Sequence, residues 1–340
     1  MLQTTSMKSL VIRPYQLMCV VCGQSSGFGD EPSGRKLRQL LAAIRKNPDR
    51  PITLCCNVEG TYNYQNPGKE DDTPEGELFN LKRDHDVIQR LGLAPGATHP
   101  ARVLFERLFK SITTSKGLCG YETAASAAWR GCPLAADGHY EKGLAAGLAA
   151  IIPSRDPAEK ECAKKESVAK MYRAGMLEIR PHHFMCMTCF HAGREKLAPI
   201  AEDNLFEAID IIRKNPDIPV KLVHAGACMI CPPCSFWDPK IEKCVSSCEL
   251  RDQKKDLDVL QKTGLQYGDV LPGREFLQRL FAAIRSTKEV CGFGDGIARS
   301  PEWTGCGMNG HKAYVKGRAM GAGIPGLDVE ADSARKPTKK

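Results

Sequence analysis

The chain repeats itself, and that limits what it can fold into more than any other feature. Ile12-Arg-Pro-Tyr-Gln-Leu-Met-Cys-Val-Val-Cys22 returns as Ile179-Arg-Pro-His-His-Phe-Met-Cys-Met-Thr-Cys189, and Ile44-Arg-Lys-Asn-Pro-Asp49 returns as Ile212-Arg-Lys-Asn-Pro-Asp217. Leu108-Phe109, Cys119-Gly120, Trp129-Arg-Gly-Cys132 and Tyr140-Glu-Lys-Gly143 come back in the same order. Their counterparts are Leu280-Phe281, Cys291-Gly292, Trp303-Thr-Gly-Cys306 and Tyr314-Val-Lys-Gly317. The offset drifts only from 167 (12 to 179) to 174 (140 to 314). The chain therefore reads as a tandem duplication of a module of roughly 140–150 residues, an ordinary domain size. The first module spans 8–153 and is a degenerate copy. A charged linker, 154–175, is rich in Lys and Glu and open to helix formation. The second module spans 176–325, and 326–340 reads as a disordered basic tail.

Each module has the same skeleton. Val11-Ile12-Arg13-Pro14 reads as a short strand, because a residue before proline avoids the helical region. Lys36 to Lys46 sets Leu37, Leu40, Leu41 and Ile44 on one helical face, and Asn47-Pro48 ends that helix. Pro51 to Cys56 and Pro219 to His224 alternate like strands. Asp86 to Leu91 and Pro100 to Ile112 read as helices, with Leu104, Leu108 and Ile112 on one face. A Gly-rich, Cys-bearing segment closes the module. The expected class is α+β, with a small sheet and packed helices in each copy.

The repeat sorts the sixteen cysteines. Cys19, Cys22, Cys119 and Cys132 recur as Cys186, Cys189, Cys291 and Cys306. Four thiolates suit an iron–sulfur cube or a structural zinc, so each set is a candidate metal site; small buried core residues are the alternative. The Cys-x2-Cys pair follows an extended segment, where a helix N-terminus would stabilise thiolates. Cys55 and Cys56 occur in the first module alone, before a stretch running to Gly68 that could line a polar pocket or hold a second metal; a turn-rich surface loop is the alternative. Cys162 stands alone among charges. His182 and His183 replace Tyr15 and Gln16, and a ligand, proton-donor or core role is open to each. Gly27-Phe-Gly29 and Gly292-Phe-Gly-Asp-Gly296 lack the strand-to-helix context of a nucleotide loop and read as turns.

The remaining five cysteines form a loop that only the second module has. Cys228-Met-Ile-Cys231-Pro-Pro-Cys234 is followed, nine residues later, by Cys244-Val-Ser-Ser-Cys248. Two successive Cys-x2-Cys spacings with Pro232 after the second match the start of a ferredoxin-type loop, in which short spacings converge sulfurs on one inorganic core. A zinc knuckle or a disulfide-rich loop is the alternative. A chain of this length with short-spaced Cys beside Pro and Gly points to metal ligation in a reducing compartment rather than to a secreted disulfide scaffold. The apolar run after Leu10 is broken by Arg13 and Pro14 and makes a poor signal-peptide core. No run of eighteen apolar residues exists, so no membrane span is expected. The net charge of +8 is interspersed with 40 acids and reads as a solvated surface.

Arg180-Pro181-His182-His183-Phe184-Met185-Cys186, with Asn215-Pro216-Asp217, Cys228-x2-Cys231-Pro232, Cys244 and Gly264-Leu265, resembles a family of small cysteine-rich prokaryotic proteins of unknown function. Its members begin Arg-Pro-His-His-Leu-x-Cys and are regarded as iron–sulfur proteins. The resemblance covers roughly 176–325; the first module, lacking both His and the loop, matches more weakly. It implies ligand roles for Cys186, Cys228, Cys231 and Cys244. Cys234 and Cys248 are extra thiols, so which four bind stays open.

The expectation is a cytoplasmic iron–sulfur protein for electron transfer or redox chemistry, possessing one to three clusters of the [4Fe–4S] type. An oxidoreductase with a cluster beside a pocket falls within that class. Its partner is then a redox protein or a small-molecule substrate. The alternative is a zinc-stabilised binding module, with nucleic acid as the less favoured partner.

Overall fold

The computed structural model describes residues 8–58, 75–246, 248–291, 303 and 312–327. The class is α+β. The chain divides into two compact units, 1–154 and 155–340. Cys306, the Gly292–Gly296 segment, the tail from 328 onward and most of the stretch between Cys56 and Gly68 lie outside the described residues.

In the first unit, strand β1 (Leu10–Ile12) leads into helix α1 (Pro14–Ser26), then α2 (Pro32–Lys46) and β2 (Pro51–Leu54). Next come α3 (Glu77–Leu91), β3 (Thr98–Pro100), α4 (Ala101–Ser111) and α5 (His139–Ala145). β2 is the central strand, parallel to β1 (Ile12 opposite Leu54) and antiparallel to β3 (Thr53 opposite Thr98). Pro14 opens α1 at a position where its missing N–H costs nothing. The Gly27-Phe-Gly29 segment turns the chain into α2, both glycines having positive φ.

The second unit uses the same sheet plan. Helix α6 (Pro157–Arg173) covers most of the charged stretch 154–175 and belongs to this unit. It starts at Asp156, whose side chain accepts from the Ala158 N–H, and its Met171 enters the core. Then follow β4 (Leu177–Ile179), α7 (His183–Gly193), α8 (Leu205–Lys214), β5 (Pro219–Leu222) and a hairpin of β6 (Trp237–Asp238) and β7 (Lys243–Cys244). Helix α9 (Glu249–Thr263), β8 (Val270–Pro272), α10 (Gly273–Ala283) and α11 (Lys312–Ala319) complete it. β5 is parallel to β4 (Ile179 opposite Leu222) and antiparallel to β8 (Val220 opposite Leu271).

Each unit has its own apolar core. Leu17, Val20 and Val21 of α1 meet Ile44, Ile52, Leu54, Val87, Leu104 and Leu108. Phe184 and Met187 of α7 meet Ile209, Ile212, Val220, Leu222, Val259, Phe276 and Leu280. Burying each such side chain is worth roughly 1.5–3 kcal/mol. The helical faces expected at Leu40/Leu41/Ile44 and Leu104/Leu108/Ile112 do point inward. Among the described residues, no helix is long and apolar enough to cross a membrane.

Two buried ion pairs stand at matching places. Arg13 Nε meets Asp84 Oδ2 at 2.5 Å, and Asp84 Oδ1 accepts from the Tyr15 N–H. Arg180 Nε meets Asp256 Oδ2 at 2.7 Å, and Asp256 Oδ1 accepts from the His182 N–H. In both units one carboxylate on a later helix ties down the residue after the first strand and the start of the helix that follows. Glycine permits a second matching contact. A Cβ on Gly143 would fall 2.1 Å from the Val21 carbonyl oxygen, and one on Gly317 would fall 2.4 Å from that of Thr188. So α5 lies directly on α1, and α11 on α7.

Removing one partner of a buried pair strands the other charge. Asp84→Ala is expected to destabilise the protein by roughly 3–5 kcal/mol, whereas Lys165→Ala, at the exposed Lys165–Glu161 pair, is expected to leave the urea midpoint unchanged. Equal urea midpoints for the two variants would refute the role given to Asp84. Gly317→Ala forces α11 off α7 and is expected to cost about 1–3 kcal/mol by the same measurement; a neutral substitution would mean the helices do not touch there.

Candidate metal centre

Parallel pairing of β4 and β5 decides what meets what. The turn after β4 carries Arg180, His182 and His183, and the chain leaving β5 carries Cys228. The Val223 N–H bonds to the Ile179 carbonyl and the Met229 N–H to that of Glu178, so the two segments stay side by side. His183 Nδ1 then lies 3.2 Å from Cys228 Sγ. His183, Cys228 and Cys231 each offer a ligand atom, and the three lie within 4.8 Å of one another.

Electrostatics favour charge on this pair. Burial opposes ionisation of Cys228. The Cys231 thiol, His183 and the Arg180 N–H, 3.5 Å from the sulfur, outweigh it and hold Cys228 well below the usual thiol range. Burial likewise works against a charged His183, but the neighbouring Cys228 raises it. Cys231 moves the other way: it gives its proton to the bond with Cys228, and burial adds to the rise. These directions favour negative charge on Cys228 and positive charge on His183, and keep the proton on Cys231. Soft thiolates and an imidazole make a donor set for zinc or iron.

The rest of the loop winds around these three. The Cys231 N–H bonds to the Cys228 carbonyl, Cys234 to Cys231 and Trp237 to Cys234, one turn after another. The Phe236 N–H donates to Cys234 Sγ at 3.4 Å. The Ser246 N–H donates to Cys244, whose thiol burial pushes up to about 12. Cys234 is close enough to act on both Cys231 and Cys244. Cys248 stands at the N-cap of α9. Asn204, fully buried, pins the loop through its side-chain NH2 to the Met229 carbonyl and its N–H to the Ile230 carbonyl.

His182 has a different task. It is 4% exposed and its Nδ1 lies 2.7 Å from Asp256 Oδ1. Burial, then the charge of His183, push it down to about 4 against the pull of Asp256. It is a neutral positioning residue behind the pair. Around it, Arg180 Nη2 and Glu249 Oε1 are buried without a hydrogen-bond partner among the described residues. These orphaned polar atoms beside the loop fit a site meant to hold a further charged group.

The other candidate cysteines fall into two groups. Cys186 and Cys291 both lie beside Lys255, and Cys189 and Cys291 beside Tyr314. In the first unit Cys19, Cys22, Cys119 and Cys132 are near one another: Cys22, Cys119 and Cys132 act on Cys19, Cys132 acts on Cys22, and Cys22 and Cys132 act on Cys119. The helix N-terminus expected to serve Cys19 does not reach it: α1 begins at Pro14, so Cys19 is in its second turn. Cys55 and Cys56 are buried after β2, the Cys55 N–H bonding to the Ile12 carbonyl. Cys162 is exposed on α6 and donates to Glu166. His183 is the candidate donor that cysteine spacing could not reveal; its signal was the place it shares with Gln16 in the repeat.

His182 gives the second unit a pH dependence. Its pKa in the unfolded chain is about 6.5, so between that value and about 4 the unfolded chain binds more protons. This contribution to stability is complete above about pH 6.5 and is lost as pH falls toward 4, on the order of 3 kcal/mol in all. The urea midpoint of metal-free protein is expected to drop across that window, with the drop largely absent in His182→Gln. A wild-type midpoint that stays flat would show that His182 is not held neutral.

No protein-family model matches the chain, and no curated protein or solved structure is detectably similar to it.

Proposed function

We propose that this is a cytoplasmic redox protein whose second unit binds iron through cysteine sulfur, with His183, Cys228 and Cys231 among the ligands. The convergence of these three donors carries the reading. Cysteine-ligated iron takes up and releases single electrons, at a potential set by burial and by hydrogen bonds to sulfur. The chain supplies both controls. Cys228 is 2% exposed, and the N–H groups of Arg180, Phe236 and Ser246 face the sulfurs of Cys228, Cys234 and Cys244. Cys234 and Cys244 are the thiols that a [4Fe–4S] cluster would add to the group. A redox protein or a small-molecule substrate is the matching partner.

A second reading is favoured by the compactness of the same group. Three donors within 4.8 Å also suit one tetrahedral zinc that only stabilises the loop. Full-length protein prepared anaerobically decides between them. Iron together with acid-labile sulfide is expected, and Cys228→Ser/Cys231→Ser is expected to lose the share bound by this unit. Stoichiometric zinc without sulfide would replace the redox reading with the structural one. A folded protein whose metal content ignores both serines would defeat both.

A further inference from the structure

We infer that the first unit has a metal centre of its own, an iron–sulfur cluster held by Cys19, Cys22, Cys119 and Cys132. The four come from two places. Cys19 and Cys22 lie three apart on α1 and so share a face. Cys119 and Cys132 sit on two backbone segments in close contact. The Cys132 N–H bonds to the Cys119 carbonyl at 2.8 Å, and a Cβ on Gly131 would lie 2.8 Å from the Gly120 Cα. Gly131 and Gly120 let these segments touch, which brings the second pair of thiols against the first.

Three features separate this group from ordinary buried cysteines. First, Cys19, Cys22 and Cys132 line one cavity of about 520 Å³, together with Glu75, Tyr15 and Phe28. Packing cysteines fill space; these border it. Second, a cation is built in: Arg83, 1% exposed, acts on Cys19 and Cys119 while its guanidinium lies 3.9 Å from the Tyr15 ring centroid. Arg83 also faces Glu75 Oε2 at 3.9 Å and donates to Asn80 Oδ1, and its charge is placed to offset part of the negative charge that four thiolates would bring. Third, the spacing is open. On one tetrahedral zinc, with Zn–S about 2.3 Å, thiolates lie only about 3.8 Å apart. Among the described residues, no three of these thiols come within 4.8 Å of one another. A cluster gives each cysteine a different iron, with inorganic sulfide between, and so fills a wider frame. Assembly takes ferrous and ferric iron in equal amounts together with sulfide, so no electron need be gained or lost, and each cysteine releases its proton to solvent as its S–Fe bond forms.

The inference rests on none of the residues of the Cys228 loop, so the two can fail separately. The full chain is reconstituted anaerobically with ferrous and ferric iron in equal amounts and sulfide. Cys19→Ser/Cys119→Ser and Cys228→Ser/Cys231→Ser are then compared for iron and acid-labile sulfide, with folding checked by circular dichroism. The first variant is expected to lose iron and sulfide in equal amounts, and the second to retain that share. Unchanged iron and sulfide in a folded Cys19→Ser/Cys119→Ser chain, or loss of zinc alone, would overturn the inference. A measurement on the unmutated protein covers the case of a variant that does not fold. Cys22 and Cys132, both partly exposed, are alkylated before and after the metal is stripped, and the sites are mapped by mass spectrometry. Labelling that rises several-fold on stripping supports a cluster there; equal labelling in both states overturns it.

Discussion

One carboxylate per unit holds the architecture in place. Asp84 and Asp256 each take an arginine side chain with one oxygen and a backbone N–H with the other. Both pairs are almost wholly buried. Desolvating two charges costs several kcal/mol per ion, and the attraction repays this only when the remaining valences are met. Here the second oxygen of each carboxylate is met by the start of the next helix. The pair thus converts an expensive burial into a fixed joint between the first strand, the cysteine-bearing helix and the helix after the central strand. Where Cys19, Cys22, Cys186 and Cys189 point follows from that joint.

The Cys228 loop depends on a different economy of contacts. It has little regular structure and buries few apolar groups, chiefly Ile230 and Trp237. Its order comes from successive turns and from N–H groups that face sulfur two residues back, at Cys234 and Cys244. Cys132 in the first unit takes the same bond from the Leu134 N–H. An N–H aimed at sulfur stabilises the thiolate more than the thiol, so at Cys234, Cys244 and Cys132 it offsets part of the cost that burial sets on ionisation.

Much of the fold was legible because its helices and central strands carry clean periodicities. Leu104, Leu108 and Ile112, or Val220 and Leu222, face the core as their spacing predicts. The third strand of each sheet was not. Thr98–Pro100 and Val270–Pro272 are three residues long and end in proline, too short to show alternation. The sequence pattern marks helix α3 only from Asp86, whereas the helix begins at Glu77. Its buried face includes Asn80, Arg83 and Asp84, and polar residues inside hide an apolar stripe. The loop cysteines announced themselves by spacing. His183 could not, because its 3.2 Å approach to Cys228 is made by parallel strands whose pairing is a long-range property of the chain.

The two units show how one framework can be turned to different ends by two adjacent residues. In the first, Gln16 Oε1 accepts the Arg13 N–H at 2.7 Å and closes off the start of α1. The buried Tyr15 ring lies against the Arg83 guanidinium. In the second, histidines stand at both places. With no glutamine to accept it, the Arg180 N–H turns to Cys228 Sγ, and His183 approaches the same sulfur through Nδ1. His182 adds a third donor to Asp256, which already binds Arg180. The joint is kept while the backbone amide that bonds to a glutamine in one unit donates to a cysteine sulfur in the other. A side chain that satisfies its own backbone makes a stable but chemically closed turn. Replacing it with an imidazole leaves that N–H available to the Cys228 sulfur, and brings a second nitrogen donor to the same atom.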